Sequence, residues 1–266
     1  MSEAERVPVL ETRKLGISFG GLKAVNDFNI KIYQGELVGL IGPNGAGKTT
    51  FFNMCTGMYP VTKGKILFEG TDITTMNTEN IAEKYISRTF QNIQLFKYMT
   101  VLENVKIGCH VKTKSNIFDS VLHTKRYRED EAYATKKSEE ILEKIGLAEY
   151  RDVKAGNLAY GIQRKVEIAR AMALDHKILL LDEPAAGMNP QETQSLMEFV
   201  KELNRDGMTI AVIEHDMKFI MNCCNRILVL NFGKKIAEGT PEEIKNNEEV
   251  QTAYFGKGLV TGEATK

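Results

Sequence analysis

One run of residues, 36–57 (ELVGLIGPNGAGKTTFFNMCTG), restricts the fold more than any other. Leu37, Val38, Leu40 and Ile41 form a short apolar run, Gly42-Pro43-Asn44-Gly45-Ala46-Gly47 breaks it, and Lys48-Thr49-Thr50 opens a new segment that ends near Gly57. That order predicts a buried strand, a glycine-rich loop and a helix N-terminus. Gly42, Gly47, Lys48 and Thr49 fit the pattern G-x-x-x-x-G-K-[ST], whose parts suit a phosphate ligand. Glycines admit positive φ and let successive N–H groups come close to an anion. The helix adds its unpaired N–H groups and the positive end of its dipole. In this pattern Lys48 reaches the β- and γ-phosphates, and the Thr49 hydroxyl serves Mg²⁺.

The bulk properties remove several alternatives. Lys+Arg and Asp+Glu both number 35, so the overall charge calls for no nucleic acid. No apolar run approaches the roughly 20 residues that cross a bilayer, and MSEAERVPVL lacks the plan of a signal peptide. Membrane contact is therefore expected through a partner. Cys55, Cys109, Cys223 and Cys224 have neither metal-ligand nor redox spacing and read as buried thiols.

Residues 9–15 and 28–33 read as strands around the turn Gly20-Gly21, with Phe28, Ile30 and Ile32 alternating with polar residues. Phe19 stands just before that turn; it suits core packing, or a stack on a flat base. Residues 65–70 form another hairpin-like piece, and Gln91 falls in a loop within 88–105. A charged helical stretch follows to residue 150. In 128–147, Ala134, Ser138, Ile141, Leu142 and Ile145 mark one face, and Glu140 and Lys144 are spaced as an i,i+4 pair. A turn at 156–161 opens a helix at 162–173.

Residues 177–183 make a second buried strand carrying Asp182 and Glu183 at its end. An acid there, beside a phosphate loop, is placed to hold Mg²⁺. Glu183, one residue on, is expected to point the other way along an extended chain, where it could meet an attacking water. After the loop 184–190, an amphipathic helix at 191–205 precedes a third strand, 208–213, which runs into Glu214-His215-Asp216. His215 alone reads as a hydrogen-bonded loop residue. A last hairpin at 226–237 turns at Asn231-Phe232-Gly233, Thr240-Pro241-Glu242-Glu243 starts a helix, and the tail is expected to fray.

In this order, GPNGAGKTT, Gln91 before an apolar loop, LAYGIQRKVEIARAMA, ILLLDEP and VIEHD resemble the ATP-binding subunit of ABC transporters over nearly the whole chain. RTFQNIQLFKYMTVLENV, LDEPAAGMNPQET, IEHDMKFIM and NNEEVQTAYFGKG resemble the importers of branched-chain amino acids more closely. The resemblance implies an α/β P-loop NTPase fold with a parallel-sheet core (about 36–57 and 158–225), an antiparallel β portion (about 7–35 and 62–70) and a helical lobe (about 92–157). The ATPase domain would span 7–238, and a C-terminal helix and tail 239–266.

Residue by residue, the resemblance gives Phe19 the adenine and Gly42, Pro43, Asn44, Gly45, Ala46, Gly47, Lys48, Thr49 and Thr50 the phosphates of ATP. Thr49, Gln91 and Asp182 serve Mg²⁺, Glu183 activates water, and His215 contacts the γ-phosphate beside Lys48. Leu158 to Gln163, with Ala159 and Gly161, form a signature loop facing the nucleotide of a second ATPase subunit, identical or paralogous, and Asn189 lies in the loop that crosses the dimer. Transmembrane permease subunits, and through them a substrate-binding protein, complete the assembly at the cytoplasmic face of the inner membrane. Where the family typically has Ser, this chain has Ala159, so one hydroxyl to the opposing phosphate is missing while the Gly161 amide and the helix dipole remain.

Other readings are a urea importer, a lipopolysaccharide exporter, a soluble ABC ATPase, and a protein that binds ATP without hydrolysing it. The chain has neither the long coiled coil of chromosome-type ABC ATPases nor the two cassettes of translation types, and Lys48, Asp182, Glu183 and His215 are all present.

Overall fold

A computed structural model describes residues 6–255, apart from 114 and 116. In chain order the elements are β1 (Leu10–Phe19), β2 (Leu22–Ile32), β3 (Leu37–Ile41), α1 (Lys48–Cys55), β4 (Lys63–Phe68), β5 (Thr71–Asp72), α2 (Thr78–Lys84), β6 (Ile86–Arg88), α3 (Val101–Cys109), α4 (Ile117–Val121) and α5 (Lys125–Lys144). There follow α6 (Tyr160–Met172), β7 (Ile178–Asp182), α7 (Pro190–Arg205), β8 (Thr209–Ile213), α8 (Met217–Cys223), β9 (Arg226–Asn231), β10 (Lys234–Gly239), α9 (Pro241–Lys245) and α10 (Glu248–Phe255).

Two sheets carry the fold. A six-stranded sheet has the order β10-β9-β3-β8-β7-β6, and a four-stranded antiparallel sheet has the order β2-β1-β4-β5. In the larger sheet β3 pairs in parallel with β8 and β9, and β7 with β8 and β6. The expected sheet core omitted β6 and the β9–β10 hairpin, both of which belong to this sheet. The short β5 and α2 were not anticipated either.

The unbroken apolar runs follow from burial on both faces. On β3, Val38 and Leu40 join a core with Phe28, Phe51 and Phe52, under the antiparallel sheet and α1. Leu37 and Ile41 face the other way, into a core with Phe199 and Val200 of α7 and Phe219 of α8. A third core brings Val101 and Val105 of α3, Ala134 and Leu142 of α5, and Val166 and Ala169 of α6 together.

Ala134, Ser138, Ile141 and Leu142 are the buried side of α5, as their spacing predicts. The expected Glu140–Lys144 pair does not form. Glu140 lies 3.9 Å from Lys136, and Lys144 reaches Asp206 at 3.0 Å. A flexible lysine takes the acid that tertiary packing brings near, and local spacing is a weaker constraint. Helix α6 starts two residues earlier than expected. All four cysteines are free and buried, and among the described residues no helix is long and apolar enough to cross a membrane. The C-terminal helix start is realised as a capping box between Thr240 and Glu243. The expected fraying of residues 256–266 lies outside the described residues.

Candidate functional site: a phosphate loop between two strand ends

The loop 42–47 leaves β3 where no side chain fits. Gly42 has φ 152° and Gly47 φ 104°. A Cβ at Gly42 would lie 2.1 Å from the Leu230 carbonyl oxygen, and one at Gly47 would lie 2.3 Å from that of Ala24. These contacts are backbone and cannot yield, so both positions demand glycine. Lys48 opens α1, and its ammonium donates to the carbonyls of Gly42 (2.7 Å) and Pro43 (3.0 Å). Burial pushes the Lys48 pKa down, while the carboxylates of Glu183 and Asp182 pull it up.

Above the loop lies a cleft of about 500 Å³ lined by Phe19, Asn44 to Thr50, Glu183 and His215, with Leu22, Lys23, Ala24 and Phe232. Phe19 is 47% exposed and meets Tyr59 edge-on at 5.3 Å, so it is a wall of the cleft and not part of the core. Phe232 joins it from the turn between β9 and β10, where sequence reasoning assigned only a turn.

Two carboxylates end β7 in different environments. Asp182 is buried and accepts from Arg88 through Oδ2 at 2.6 Å, both side chains being 5% exposed. Burial raises the Asp182 pKa, with Arg88 opposing. Arg88 also donates to Asn53 of α1 (2.8 Å) and to Thr56 at the C-cap of that helix (3.1 Å) and lies over the rings of Phe52 and Phe90. The acid and the phosphate-loop helix are thereby tied together. Glu183 is not in an extended chain as its neighbour is: it has φ 47°, and its amide donates to the Ile213 carbonyl at 2.9 Å. This left-handed step swings its carboxylate onto two other groups. Gln91 Nε2 donates to Oε2 at 2.7 Å, and His215 Nε2 lies 2.7 Å from Oε1. A nitrogen at that distance from a carboxylate is the protonated one. His215 is in turn held by its neighbour: the buried Glu214 accepts from the amides of Ala185 (2.6 Å) and His215 (3.1 Å). Burial raises the Glu214 pKa.

The structure therefore brings Phe19, the phosphate loop, Glu183 and His215 to one cleft; Gln91 joins it through its bond to Glu183, and Asp182 is buried next to Glu183, outside the lining. Ala159, Gly161 and Gln163 stand elsewhere, at the start of α6. Gln163 donates to the Leu158 carbonyl at 2.8 Å, and Ala159 is the N-cap residue with no side-chain cap. Ala159→Ser is expected to stabilise the chain by about 1 kcal/mol, because its hydroxyl would accept from a free amide of the first turn. The melting temperature should rise by about 2–4 °C; an unchanged value would mean that the first turn has no use for a cap. Asn189 caps α7 in a capping box with Glu192.

Arg164 and Glu167 were missed altogether. Arg164 is fully buried, and its guanidinium donates to Glu167 (2.7 Å), to the Phe90 carbonyl (2.7 Å) and to the Gln91 carbonyl (2.7 Å). Glu167 accepts in addition from the Gln94 amide at 3.0 Å. The pair clamps the loop carrying Gln91 to α6. A second unforeseen contact comes from α10, where Tyr254 has its pKa pushed up to about 12 by burial, against the backbone of Gly42.

The donors near the loop fit a cation that arrives with phosphate. Among the described residues no cluster of His, Cys, Asp or Glu could hold a metal by itself. Thr49, exposed at the start of α1, Gln91 and the buried acid Asp182 offer the few oxygens that a Mg²⁺ ion needs from protein when phosphates and water supply the rest.

A family model for the ABC transporter matches residues 25–186, and a model described as branched-chain amino acid ATP-binding cassette transporter matches 234–259. The chain is 47% identical over 251 residues to the high-affinity branched-chain amino acid transport ATP-binding protein LivG of Escherichia coli (strain K12), covering 94% of this chain and 98% of that one. It is 33% identical over 249 residues to the lipopolysaccharide export system ATP-binding protein LptB of Haemophilus influenzae, covering 94% and 98%. The crystal structure of a nucleotide-free ATP-binding cassette from an ABC transporter superposes with a TM-score of 0.80 at 35% identity, covering 94% of this chain and 100% of that one. With more than half of the chain inside the family model and a phosphate loop facing two strand-end carboxylates, the chain belongs to the ABC transporter family as one of its ATP-hydrolysing subunits.

Proposed function

We propose that this subunit powers import of branched-chain amino acids. The observation that carries the substrate is the match of residues 234–259 to the branched-chain amino acid transporter model. The higher identity to LivG than to LptB, 47% against 33%, points the same way. Deleting the gene should remove most uptake of labelled leucine, isoleucine and valine in a strain with no redundant transporter. Unchanged uptake would sink the assignment.

At the site, the amides of the phosphate loop and Lys48 bind the phosphates of ATP, and Phe19 takes the adenine. Thr49, Gln91 and Asp182 hold Mg²⁺, which would neutralise phosphate charge when bound. Glu183 accepts the proton of the attacking water, with Gln91 and His215 fixing its two oxygens, and His215 meets the γ-phosphate. Because Ala159, Gly161 and Gln163 lie away from the cleft of their own chain, they serve the nucleotide of a second ATPase subunit in a head-to-tail pair. The helical lobe at about 92–157, within an ATPase domain spanning about 7–238, contacts transmembrane permease subunits. The chain then sits peripherally on the cytoplasmic face of the membrane.

A further inference from the structure

Phe232 is expensive where it stands. The turn joining β9 and β10 has only two residues, Phe232 and Gly233, between the paired Asn231 and Lys234. Both have positive φ, 44° and 76°, the backbone signature of a type I′ hairpin turn, whose first central position favours Asn, Asp or Gly. A bulky residue with a left-handed backbone is strained, and here the strain brings no packing in return, since Phe232 is 84% exposed.

The turn is nonetheless fixed in place. The Gly233 amide donates to the Ala46 carbonyl of the phosphate loop at 2.9 Å, and the Gly233 carbonyl accepts from the Asn26 amide of β2 at 2.8 Å. Gly233 fits so closely that a Cβ would lie 2.7 Å from the Ala24 carbonyl oxygen. An exposed aromatic side chain is thus carried on a pinned turn, bonded directly to the phosphate loop. It lines the same cleft as Phe19 and Leu22, which are 47% and 69% exposed. Phosphate recognition uses none of these three groups. A flat apolar ring attached to the phosphates does, because base–aromatic stacking needs only a π-face and is tolerant of the base.

We propose that Phe232 forms a second wall for the nucleotide base, closing on it from the β9–β10 turn while Phe19 holds it from the end of β1. This rests on reading the cleft as the ATP site. The local strain at residue 232 is retained because the ring is used by the ligand.

Phe232→Asn separates the two effects, since Asn suits the turn and cannot stack. Binding of ATP and of inorganic tripolyphosphate, both with Mg²⁺, is measured by calorimetry on the full chain, with melting temperature recorded alongside. The melting temperature of Phe232→Asn should equal or exceed the parent's. Its ATP affinity should fall about fivefold or more, while tripolyphosphate affinity stays within about twofold. Phe232→Ala should lose ATP affinity similarly, without the gain in the turn. Parental ATP affinity in both variants would overturn the proposal. So would an equal loss of ATP and tripolyphosphate, which would mean that the turn merely shapes the phosphate loop. A parent chain that binds no ATP would overturn the reading of the cleft itself and this inference with it.

Discussion

Glu183→Gln is expected to abolish most ATP turnover while leaving ATP binding intact. A positioned general base typically contributes about 10²–10⁴ in rate, and an amide of the same shape cannot accept the proton of water. The loss should be at least about tenfold. The Lys48 ammonium is bonded to the Gly42 and Pro43 carbonyls and not to Glu183, so its place in the loop does not depend on the altered atoms. The geometry adds a detail. Both Glu183 oxygens accept from donors, Gln91 Nε2 and His215 Nε2, so the new amide must turn its NH₂ toward one of them. A change of His215 tautomer, visible by nitrogen NMR, is one way to relieve that donor–donor contact. Phosphate release and calorimetric ATP binding are the measurements, and near-parental turnover would remove Glu183 from the role.

Arg164→Met should cost far more stability than its place on a charged helix suggests. The substitution strips Glu167, whose carboxyl is 2% exposed, of its ion-pair partner, leaving the Gln94 amide as its hydrogen-bond donor and the charge of Arg170 nearby. Removing one member of a buried ion pair typically costs about 3–5 kcal/mol, on the order of 10 °C in melting temperature for a chain of this size. Replacing both, as Arg164→Met with Glu167→Leu, should recover much of the loss. The uncompensated charge is then gone, and the Phe90 and Gln91 carbonyls, both on exposed residues, can turn to water. Urea unfolding of the two variants tests this. A single variant as stable as the parent would show that the clamp is not held by charge.

The parts of the molecule legible in the sequence were those whose causes are local. Strands β3, β7 and β8 are buried on both faces and announce themselves as apolar runs. The alternation of Phe28, Ile30 and Ile32 marks a strand with one face in the core, and all three are buried. The phosphate loop is a local device, set by glycine φ and a helix start. What stayed hidden has its cause elsewhere in the chain. Strand β6 is three residues long and includes Arg88, whose charge is tolerated because Asp182 meets it across 94 positions of sequence. Arg164 and Glu167 look like a solvated helix face until the carbonyls of residues 90 and 91 are seen against them. Glu183 reads as extended in the sequence because β7 leads into it, and the left-handed step goes with a bond to Ile213 of the neighbouring strand, which no local pattern shows.

The position of the Lys48 ammonium has a kinetic consequence. In this arrangement the lysine latches the loop with two bonds to its own carbonyls. Under the role proposed for Lys48, an arriving nucleotide does not meet an idle cation: it must win the ammonium from the Gly42 and Pro43 carbonyls. Capture is then an exchange of partners, with a net heat smaller than new phosphate bonds would release. Its rate is set partly by how often the latch opens.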